Sequence, residues 1–563
     1  MRIVVVGGVA TGMSAAARAR RLDESAEIIV LEKGPYVSFA NCGLPYYVGG
    51  EIEDRTKLLV QTPESLREAL NLDVRVDTEV VAMDAVAKTV TVRSVGETST
   101  IRYDSLVLAP GAEAVRPPIP GLDSPRVMTL RSVDDALAMK EFVDSSAKQA
   151  VVLGAGFIGL EAAEALRHQG LDVSVVELAP HVLPPLEPEL ATYVKDALLS
   201  LGIDVRDGIG ATEIRSDQHV DRVVLSDGTV LDADLVALST GVRPATAPFE
   251  AAGVECFRGA MLVDSHGRTS LEDVWAGGDA VAMRPKNGLI PRVVPLAGPA
   301  NRAGRLIADS ILLGERAREI PVPLSTAVVR VGDQTAALTG ANRQMLDADG
   351  REYETINLHP FQHATYFPGA KQMHLIVHFD PENGEILGAQ GVGEEGVDKR
   401  IDVFATAIRG GLTISDLVDL DLTYAPPYGS AKDAVNMAGM LGENVLGGVT
   451  RLWHAEDLPT EMERALILDA RSRTEYASGH VPGALNIPHT EIRERIDEIS
   501  QEAAGRPIRV HCASGVRSYL SERMLRAAGF DVKNMTGGMI TMKQVIAAGM
   551  LPGLELVEGE DRG

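Results

Sequence analysis

Cysteine is scarce in this chain, with three in 563 residues. Cys42, Cys256 and Cys512 are far apart and match neither a disulfide framework nor the spacing of metal ligands. This pattern excludes a disulfide-stapled secreted scaffold, and no metal site is predicted. In a chain of this kind we expect the thiols to act chemically, in a reducing compartment.

Long apolar runs and an excess of positive charge are also lacking. No run is long enough to span a bilayer, and the first residues lead directly into a short apolar strand, unlike a secretory signal. We therefore expect a cytoplasmic location. The formal charge of −25 disfavours binding to nucleic acid or anionic membranes. Length and an apolar content of 45% predict several ordinary domains.

Short apolar strands alternate with helical stretches, which is typical of a doubly wound parallel sheet. The first strand runs into Gly7 and Gly12, a helix follows, and the next strand ends at Glu32. A glycine turn, a helix N-terminus and a carboxylate about twenty residues on are what a dinucleotide needs. Val9 stands where the second glycine of the fingerprint is expected, so the match is imperfect.

A second turn has all three glycines, Gly154, Gly156 and Gly159, and its next strand ends at Glu177. A carboxylate at that strand end accepts from ribose hydroxyls and repels a 2′-phosphate, which favours NADH over NADPH. Two nucleotide sites in one chain predict two electron carriers.

Cys42 follows the first unit in the run SFANCGLPY, residues 38–46, and no second cysteine stands two to five residues away. Beside a redox cofactor, such a thiol is oxidised to a sulfenic acid or to a mixed disulfide with a small thiol. The sequence therefore predicts a small external thiol.

Residues 106–112 and 274–280 are further strand-to-glycine elements, and with them residues 1–445 resemble the FAD- and NAD(P)-dependent disulfide reductases. The resemblance implies that Asp279 binds the flavin ribityl chain. Lack of a Cys-x-x-x-x-Cys pair is unlike glutathione and lipoamide reductases. Ala10 stands where NADH peroxidases and water-forming oxidases carry a histidine. The run 38–46, the run YAPPY at 424–428 and Lys432 resemble coenzyme A disulfide reductases.

The resemblance implies the site residues. Cys42 is the redox-active thiol, and Tyr366 and Tyr424 reach the active site of the partner in a homodimer, as does Lys432. The implied cofactor-binding residues are Gly7, Ala10, Gly12, Glu32, Lys33, Val80, Ala109, Gly111, Arg131, Gly154, Gly156, Ile158, Gly159, Glu177, Gly241, Gly278, Asp279 and Ala297. The implied coenzyme A-binding residues are Ser14, Arg18, Arg21, Ser38, Asn41, Asn301 and Lys432.

After residue 445 a new α/β pattern begins, and the run CASGVRS at 512–518 opens onto a helix. Together with residues 465–484, it resembles the rhodanese domain. Loop amides and Arg517 are expected to lower the pKa of Cys512 and to hold an anionic sulfur. A small phosphatase is the competing interpretation, but its loop has one more residue. A docking module with an idle Cys512 is another. We interpret Asp469, Arg471 and His480 as scaffold residues, and Cys256 as a buried packing thiol.

The predicted fold class is α/β, with two Rossmann-like domains for FAD and NAD, an α+β dimerisation domain and a rhodanese-like domain. The predicted boundaries are 1–112 and 245–322 for FAD, 113–244 for NAD(P), 323–445 for dimerisation, 446–458 for a linker and 459–558 for rhodanese. The predicted enzyme uses NAD(P)H to reduce coenzyme A disulfide, coenzyme A persulfide or polysulfide, with low thiol pKa values. The alternative is an NADH oxidase or peroxidase with a cysteine sulfenic acid and an accessory docking module.

Overall fold

Two five-stranded parallel sheets organise the N-terminal half of the chain. The computed structural model describes residues 1–145, 147–217, 219–284 and 290–559. These residues form two compact units, Met1–Pro180 with Leu201–Ser325, and His181–Ser200 with Thr326 onward. The finer domain boundaries stay a prediction.

The first sheet of the first unit has neighbouring strands in the order Val274–Ala276, Ser105–Leu108, Arg2–Val6, Glu27–Leu31 and Asp73–Arg75. The second has the order Asp204–Asp207, Asp172–Glu177, Gln149–Leu153, Leu235–Leu238 and Val127–Met128. Both sheets are parallel throughout. In each, the strand before the glycine turn lies centrally, so both turns emerge at the carboxyl edge of their sheet.

Burial on both faces explains why these strands are continuously apolar. Ile3 and Val5 pack with the helix side chains Ala16 and Ile307. Val4 packs on the opposite face. This alternation is the two-residue period of a strand whose two faces are both covered.

Smaller sheets complete the first unit. One three-stranded sheet has strands Thr78–Asp84, Thr89–Ser94 and Glu97–Arg102, and another has Ala211–Ser216, Asp221–Leu225 and Val230–Ala233. A two-stranded sheet pairs Ala112–Ala114 with Val242–Pro244. A four-stranded sheet has the strands Cys256–Phe257, Ala260–Leu262, Val281–Met283 and Arg292–Val293. The α-helices are Ala10–Leu22, Leu44–Val48, Pro63–Leu70, Val133–Ser145, Phe157–His168, Ala247–Glu250 and Ala297–Leu313.

The second unit combines an antiparallel sheet with a parallel one. The antiparallel order is Ala327–Val331, Gln334–Gly340, Ile386–Gly393, Met373–Phe379 and Glu354–Leu358. The parallel order is Leu452–Trp453, Val532–Met535, Ile508–His511, Leu466–Asp469 and Leu485–Asn486. The α-helices are Pro188–Ser200, Arg343–Ala348, Val397–Gly410, Ala434–Leu446, Leu458–Arg464, Arg473–Ala477, Ile496–Ala503, Val516–Ala527 and Gly538–Ala547.

The helices of the described ranges are each too short or too polar to cross a bilayer. Cys256 is half-buried and not fully buried as the sequence suggested. It lies in the short edge strand Cys256–Phe257, which leaves its side chain at the margin of the core.

Candidate active sites

Both glycine turns have the same backbone geometry. Gly7 and Gly154 have φ of +97° and +102°, a region that favours glycine. A Cβ at Gly12 would lie 1.9 Å from the carbonyl oxygen of Gly7, and one at Gly159 would lie 2.0 Å from that of Gly154. Val9 has a φ of −115°, which any residue adopts, so its replacement of a glycine leaves the first turn intact.

A carboxylate closes each turn in the same way. The amide of Gly8 donates to Glu32 at 2.7 Å, and the amide of Ala155 donates to Glu177 at 2.6 Å. Both acids stand at the carboxyl edge of the strand beside the turn. The first turn is thus equivalent to the second, although its fingerprint in the sequence is weaker.

Several predicted cofactor residues follow neighbouring parallel strands and therefore meet at one edge. In the first sheet, Gly7, Ala109 and Gly278 follow adjacent strands. Asp279 lies at this edge and pairs with Arg131 at 2.9 Å.

The other predicted cofactor residues all lie in the first unit. Lys33 pairs with Glu113 at 3.3 Å on the surface. Val80 turns its side chain into the core, so only its backbone is available to a nucleotide. At the second sheet, Gly154 and Gly241 follow strands that are also neighbours. The remaining members of the predicted set are Ala10, Gly12, Gly111, Gly156, Ile158, Gly159 and Ala297.

Cys42 lies in the short 3-10 turn Asn41–Gly43 and is exposed and unpaired. Partial burial raises the pKa of its thiol, the carboxylates of Glu161 and Asp279 raise it further, and Arg131 opposes them. The sequence predicted a low pKa for the Cys42 thiol. That prediction is wrong, because the surrounding protein groups raise this pKa on balance. The helix that follows, Leu44–Val48, is only five residues long, and two carboxylates outweigh one guanidinium.

The predicted coenzyme A-binding residues are partly brought together. The hydroxyl of Ser14 donates to the side-chain oxygen of Asn301 at 2.7 Å. Arg18 forms a half-buried ion pair with Asp309 at 2.6 Å, whereas Arg21 is exposed. The predicted basic face of the first helix is therefore divided, with one arginine fixed to the neighbouring helix.

Asn41 and Ser38 lie on the segment that carries Cys42. The side-chain oxygen of Asn41 is buried and has no hydrogen-bond partner. Ser38 has a φ of +51° and donates its amide to the carbonyl of Gly8 at 2.8 Å. That contact ties the cysteine segment to the first glycine turn.

Tyr366 and Tyr424 form a pair in the second unit, with their hydroxyl oxygens 2.8 Å apart. They are 74% and 48% exposed. The hydrogen bond between the two hydroxyls raises the pKa of Tyr366. Lys432 is exposed on the same loop as Tyr424.

Two contacts hold the tyrosine loops together. The amide of Ala364 donates to the carbonyl of Gly429 at 2.9 Å. Arg400 is buried and donates to the carbonyl of Gln362 at 2.8 Å and to the carboxylate of Asp433 at 2.7 Å. The loops are thus fixed to each other just beyond the two phenols.

Cys512 ends the strand Ile508–His511 and is 1% exposed. Its sulfur accepts hydrogen bonds from the amide of Gly515 at 3.2 Å and from the hydroxyl of Ser518 at 3.3 Å. Gly515 has a φ of +93°, which turns its amide towards the sulfur at the start of the helix Val516–Ala527. The loop forms a polar cup around the sulfur.

Arg517 makes a two-pronged ion pair with Glu475, at 2.6 and 2.8 Å. Hydrogen bonding to Glu475 raises the pKa of Arg517, and the nearby Cys512 contributes in the same direction. Behind the loop, Asp469 and Arg471 form a buried ion pair at 2.6 Å. His480 stacks on Tyr476 with ring centroids 3.7 Å apart.

The pyridine nucleotide-disulphide oxidoreductase profile matches residues 1–302 and its dimerisation domain matches 326–435. The chain belongs to the pyridine nucleotide-disulphide oxidoreductase family. The rhodanese-like domain matches residues 454–543. These matches confirm the predicted family and fold class.

Three relatives illustrate the likeness. Coenzyme A disulfide reductase of Staphylococcus haemolyticus is 35% identical over 442 residues, which are 78% of this chain and 98% of that protein. The structure of reduced Bacillus anthracis CoADR-RHD has a TM-score of 0.94 and 39% identity and covers 99% of both chains. A NAD-dependent persulfide reductase from A. fulgidus has a TM-score of 0.88 and 37% identity, covering 96% of this chain and 100% of that one.

As a family member, this chain is an oxidoreductase with FAD and NAD(P)H as cofactors, and its residues fit both. A Cβ added at Gly156 would meet no atom within 4 Å, so the second turn opens onto space for a pyrophosphate. At the first sheet, the Asp279–Arg131 pair places polar groups at the edge where Gly7 and Gly278 lie.

Sequence reasoning missed three residues near the two thiols. Glu161 acts on Cys42 across 119 positions of sequence, which no local pattern reveals. Ser518 follows the rhodanese loop and was visible only as part of its motif. Glu475 was visible as the end of a Ser-x-x-Glu capping box, but its pairing with Arg517 was not.

Proposed function

We propose that this chain uses NAD(P)H to reduce coenzyme A disulfide, coenzyme A persulfide or polysulfide, with Cys42 as its one redox-active thiol. The observation that carries the proposal is the exposed, unpaired Cys42 with Asp279 and Arg131 as its charged neighbours. All three cysteines of the chain are free thiols. The relatives named coenzyme A disulfide reductase and persulfide reductase support the substrate class.

The proposed chemistry needs an external thiol because the chain supplies no second one. FAD, when bound, supplies the two electrons taken from NAD(P)H. The Cys42 thiolate attacks one sulfur of coenzyme A disulfide, releases one coenzyme A thiol and holds the other in a mixed disulfide. Overall, one disulfide, one NAD(P)H and one proton give two coenzyme A thiols and NAD(P)⁺. With coenzyme A persulfide, the same electrons give one coenzyme A thiol and hydrogen sulfide.

Coenzyme A carries several phosphates, and the proposed binding residues supply polar and basic groups for them. Arg21 and Lys432 are exposed cations suited to phosphate. Ser14 and Asn301 already contact each other and supply uncharged hydrogen-bonding groups. Arg18 is paired with Asp309, so its proposed contribution is to hold the first helix in register with the helix Ala297–Leu313.

A homodimer is supported by the dimerisation domain. Within it, we propose that Tyr366, Tyr424 and Lys432 reach the active site of the partner subunit. The hydrogen-bonded phenols there donate a proton to the departing thiolate.

Mass spectrometry of the native protein tests the proposal. The Cys42 peptide is expected to carry coenzyme A as a disulfide, and Cys42→Ser is expected to abolish NADH oxidation driven by coenzyme A disulfide. A sulfenic acid on Cys42, with oxygen or peroxide turnover far above that with coenzyme A disulfide, would instead identify an NADH oxidase or peroxidase.

For the rhodanese domain we propose sulfurtransferase activity, with Cys512 carrying a sulfane sulfur. The support is the hydrogen bonding of its sulfur by Gly515 and Ser518. Cys512→Ser is expected to abolish sulfur transfer to cyanide while coenzyme A disulfide reduction continues. Unchanged transfer in that variant would support a docking module with an idle Cys512.

A further inference from the structure

The cation beside the rhodanese sulfur is already occupied by a carboxylate of the same domain. Both terminal nitrogens of Arg517 donate to Glu475, at 2.6 and 2.8 Å. Glu475 is held in turn by Ser472, whose hydroxyl donates to it at 2.8 Å. The carboxylate is therefore fixed on the guanidinium from two sides.

The ion pair between Arg517 and Glu475 determines which charges a sulfur donor encounters near Cys512. The side chains of Arg517 and Glu475 are 30% and 38% exposed, so solvent and substrate reach both. Cys512 lies deeper, at 1% exposure. Arg517 also interacts with the Cys512 sulfur, so a donor approaching it encounters a guanidinium whose charge is already balanced by Glu475.

Asp469 and Arg471, the charged pair behind the loop, add no net positive charge near Cys512. They neutralise each other in the interior, and Arg471 also donates to the carbonyl of Gly479 at 2.8 Å. His511 is fully buried, and burial lowers its pKa, which disfavours its charged form.

We propose that Glu475 is a specificity-determining residue that selects persulfide donors over thiosulfate. This proposal rests on the sulfurtransferase function proposed above. Thiosulfate carries two negative charges and must leave as sulfite, which also carries two. A persulfide leaves as a thiol. Next to the reacting sulfur, the carboxylate repels the sulfonate of the first donor more than the uncharged –S–SH group of the second, and it competes for the cation that would bind a sulfonate.

Both transfers use the same atoms of the protein. With a persulfide, the Cys512 thiolate attacks the outer sulfur of R–S–SH, the S–S bond breaks, and R–SH leaves with the proton. With thiosulfate, the same attack releases sulfite as a dianion. Either reaction leaves Cys512 as a persulfide anion, and cyanide then removes the outer sulfur as thiocyanate and restores the thiolate.

Glu475→Gln tests the proposal in the full-length holoenzyme. Glutamine keeps the capping-box contact with Ser472 and so is expected to preserve the helix start. The ratio of kcat/KM for thiosulfate to that for glutathione persulfide, with cyanide as acceptor, is expected to rise about tenfold. Glu475→Asp, which keeps the charge, is expected to retain the wild-type preference.

Glu491→Gln is the matched control. Glu491 pairs with Arg473 in the same two-pronged manner, at 2.7 and 2.8 Å, and also accepts from Arg495 at 3.2 Å. Its ratio is expected to equal that of the wild type. An unchanged ratio in Glu475→Gln, or a wild type that prefers thiosulfate, would overturn the specificity role alone. Absence of transfer from both donors in the wild type would overturn the sulfurtransferase function and this inference with it.

Discussion

The hydroxyl groups of Tyr366 and Tyr424 share a 2.8 Å hydrogen bond although 58 positions separate them in the sequence. Both phenols are largely exposed, so the contact is not a consequence of core packing. The chain keeps two tyrosines together at a surface, held by the contacts of their loops. This arrangement supports the proposal that the two phenols act together as a proton donor.

Tyr366→Phe is expected to lower kcat for coenzyme A disulfide reduction on the order of a hundredfold, since a positioned acid contributes about that much. Tyr424→Phe is expected to have a similar effect. The double variant is expected to cost little more than either single one, because the two hydroxyls act as one unit. Steady-state kinetics of the dimer measures this. Tyr428→Phe, a neighbouring exposed tyrosine, is the control and should retain wild-type kcat.

The thiol of Cys42 is expected to become more reactive as pH rises through its raised pKa, because the thiolate is the nucleophile. Glu161 is one of the carboxylates that raise this pKa, so Glu161→Gln should lower it. The pH midpoint for iodoacetamide alkylation of Cys42 in the reduced enzyme is expected to shift downward.

Glutamine at position 161 still accepts the hydrogen bond of Tyr46, which is 3.1 Å in the native protein, so the local packing is preserved. Glu113→Gln removes a carboxylate paired with the exposed Lys33 and should leave the midpoint unchanged. Equal midpoints in the two variants would show that Glu161 does not act on the thiol.

Local patterns in the sequence predicted the fold well, because a strand, a turn or a helix start depends mainly on residues that are close together in the sequence. The apolar strands before Gly7 and Gly154 and the loop of Cys512 each encode their own turn and helix. The pKa of Cys42 could not be predicted in this way. It depends on Glu161 and Asp279, which come from other parts of the chain and are brought near the thiol only by folding.

Side-chain pairing was likewise beyond local patterns. The spacing of Arg18 and Arg21 predicts one basic face on the first helix. Asp309, on a helix far along the sequence, forms an ion pair with Arg18 and so neutralises one of the two positive charges. Arg517 was expected to act on an anion, and Glu475, 42 positions earlier, holds it. In both cases the sequence identifies a cation but not the carboxylate that folding brings to it.

Arg400→Ala is expected to destabilise the second unit by about 3–5 kcal/mol, because it leaves the carboxylate of Asp433 buried without its partner. The thermal unfolding midpoint measures this. Lys371→Ala breaks the exposed pair with Glu394, which is 2.7 Å in the native protein, and should lower the midpoint much less, because solvent screens an exposed pair. Similar losses in both variants would contradict a special role for the buried pair.

Ser518→Ala is expected to slow sulfur transfer through Cys512. The hydroxyl donates to the sulfur at 3.3 Å, and a hydrogen bond to a charged group contributes about 1.5–3 kcal/mol. Its loss therefore corresponds to a fall of about tenfold to a hundredfold in kcat for glutathione persulfide with cyanide. Ser521→Ala is the control, because that hydroxyl is on the same helix but donates to the carbonyl of Arg517 at 3.0 Å. If both variants lose activity equally, the effect belongs to the helix, and the hydroxyl of Ser518 does not stabilise the sulfur anion.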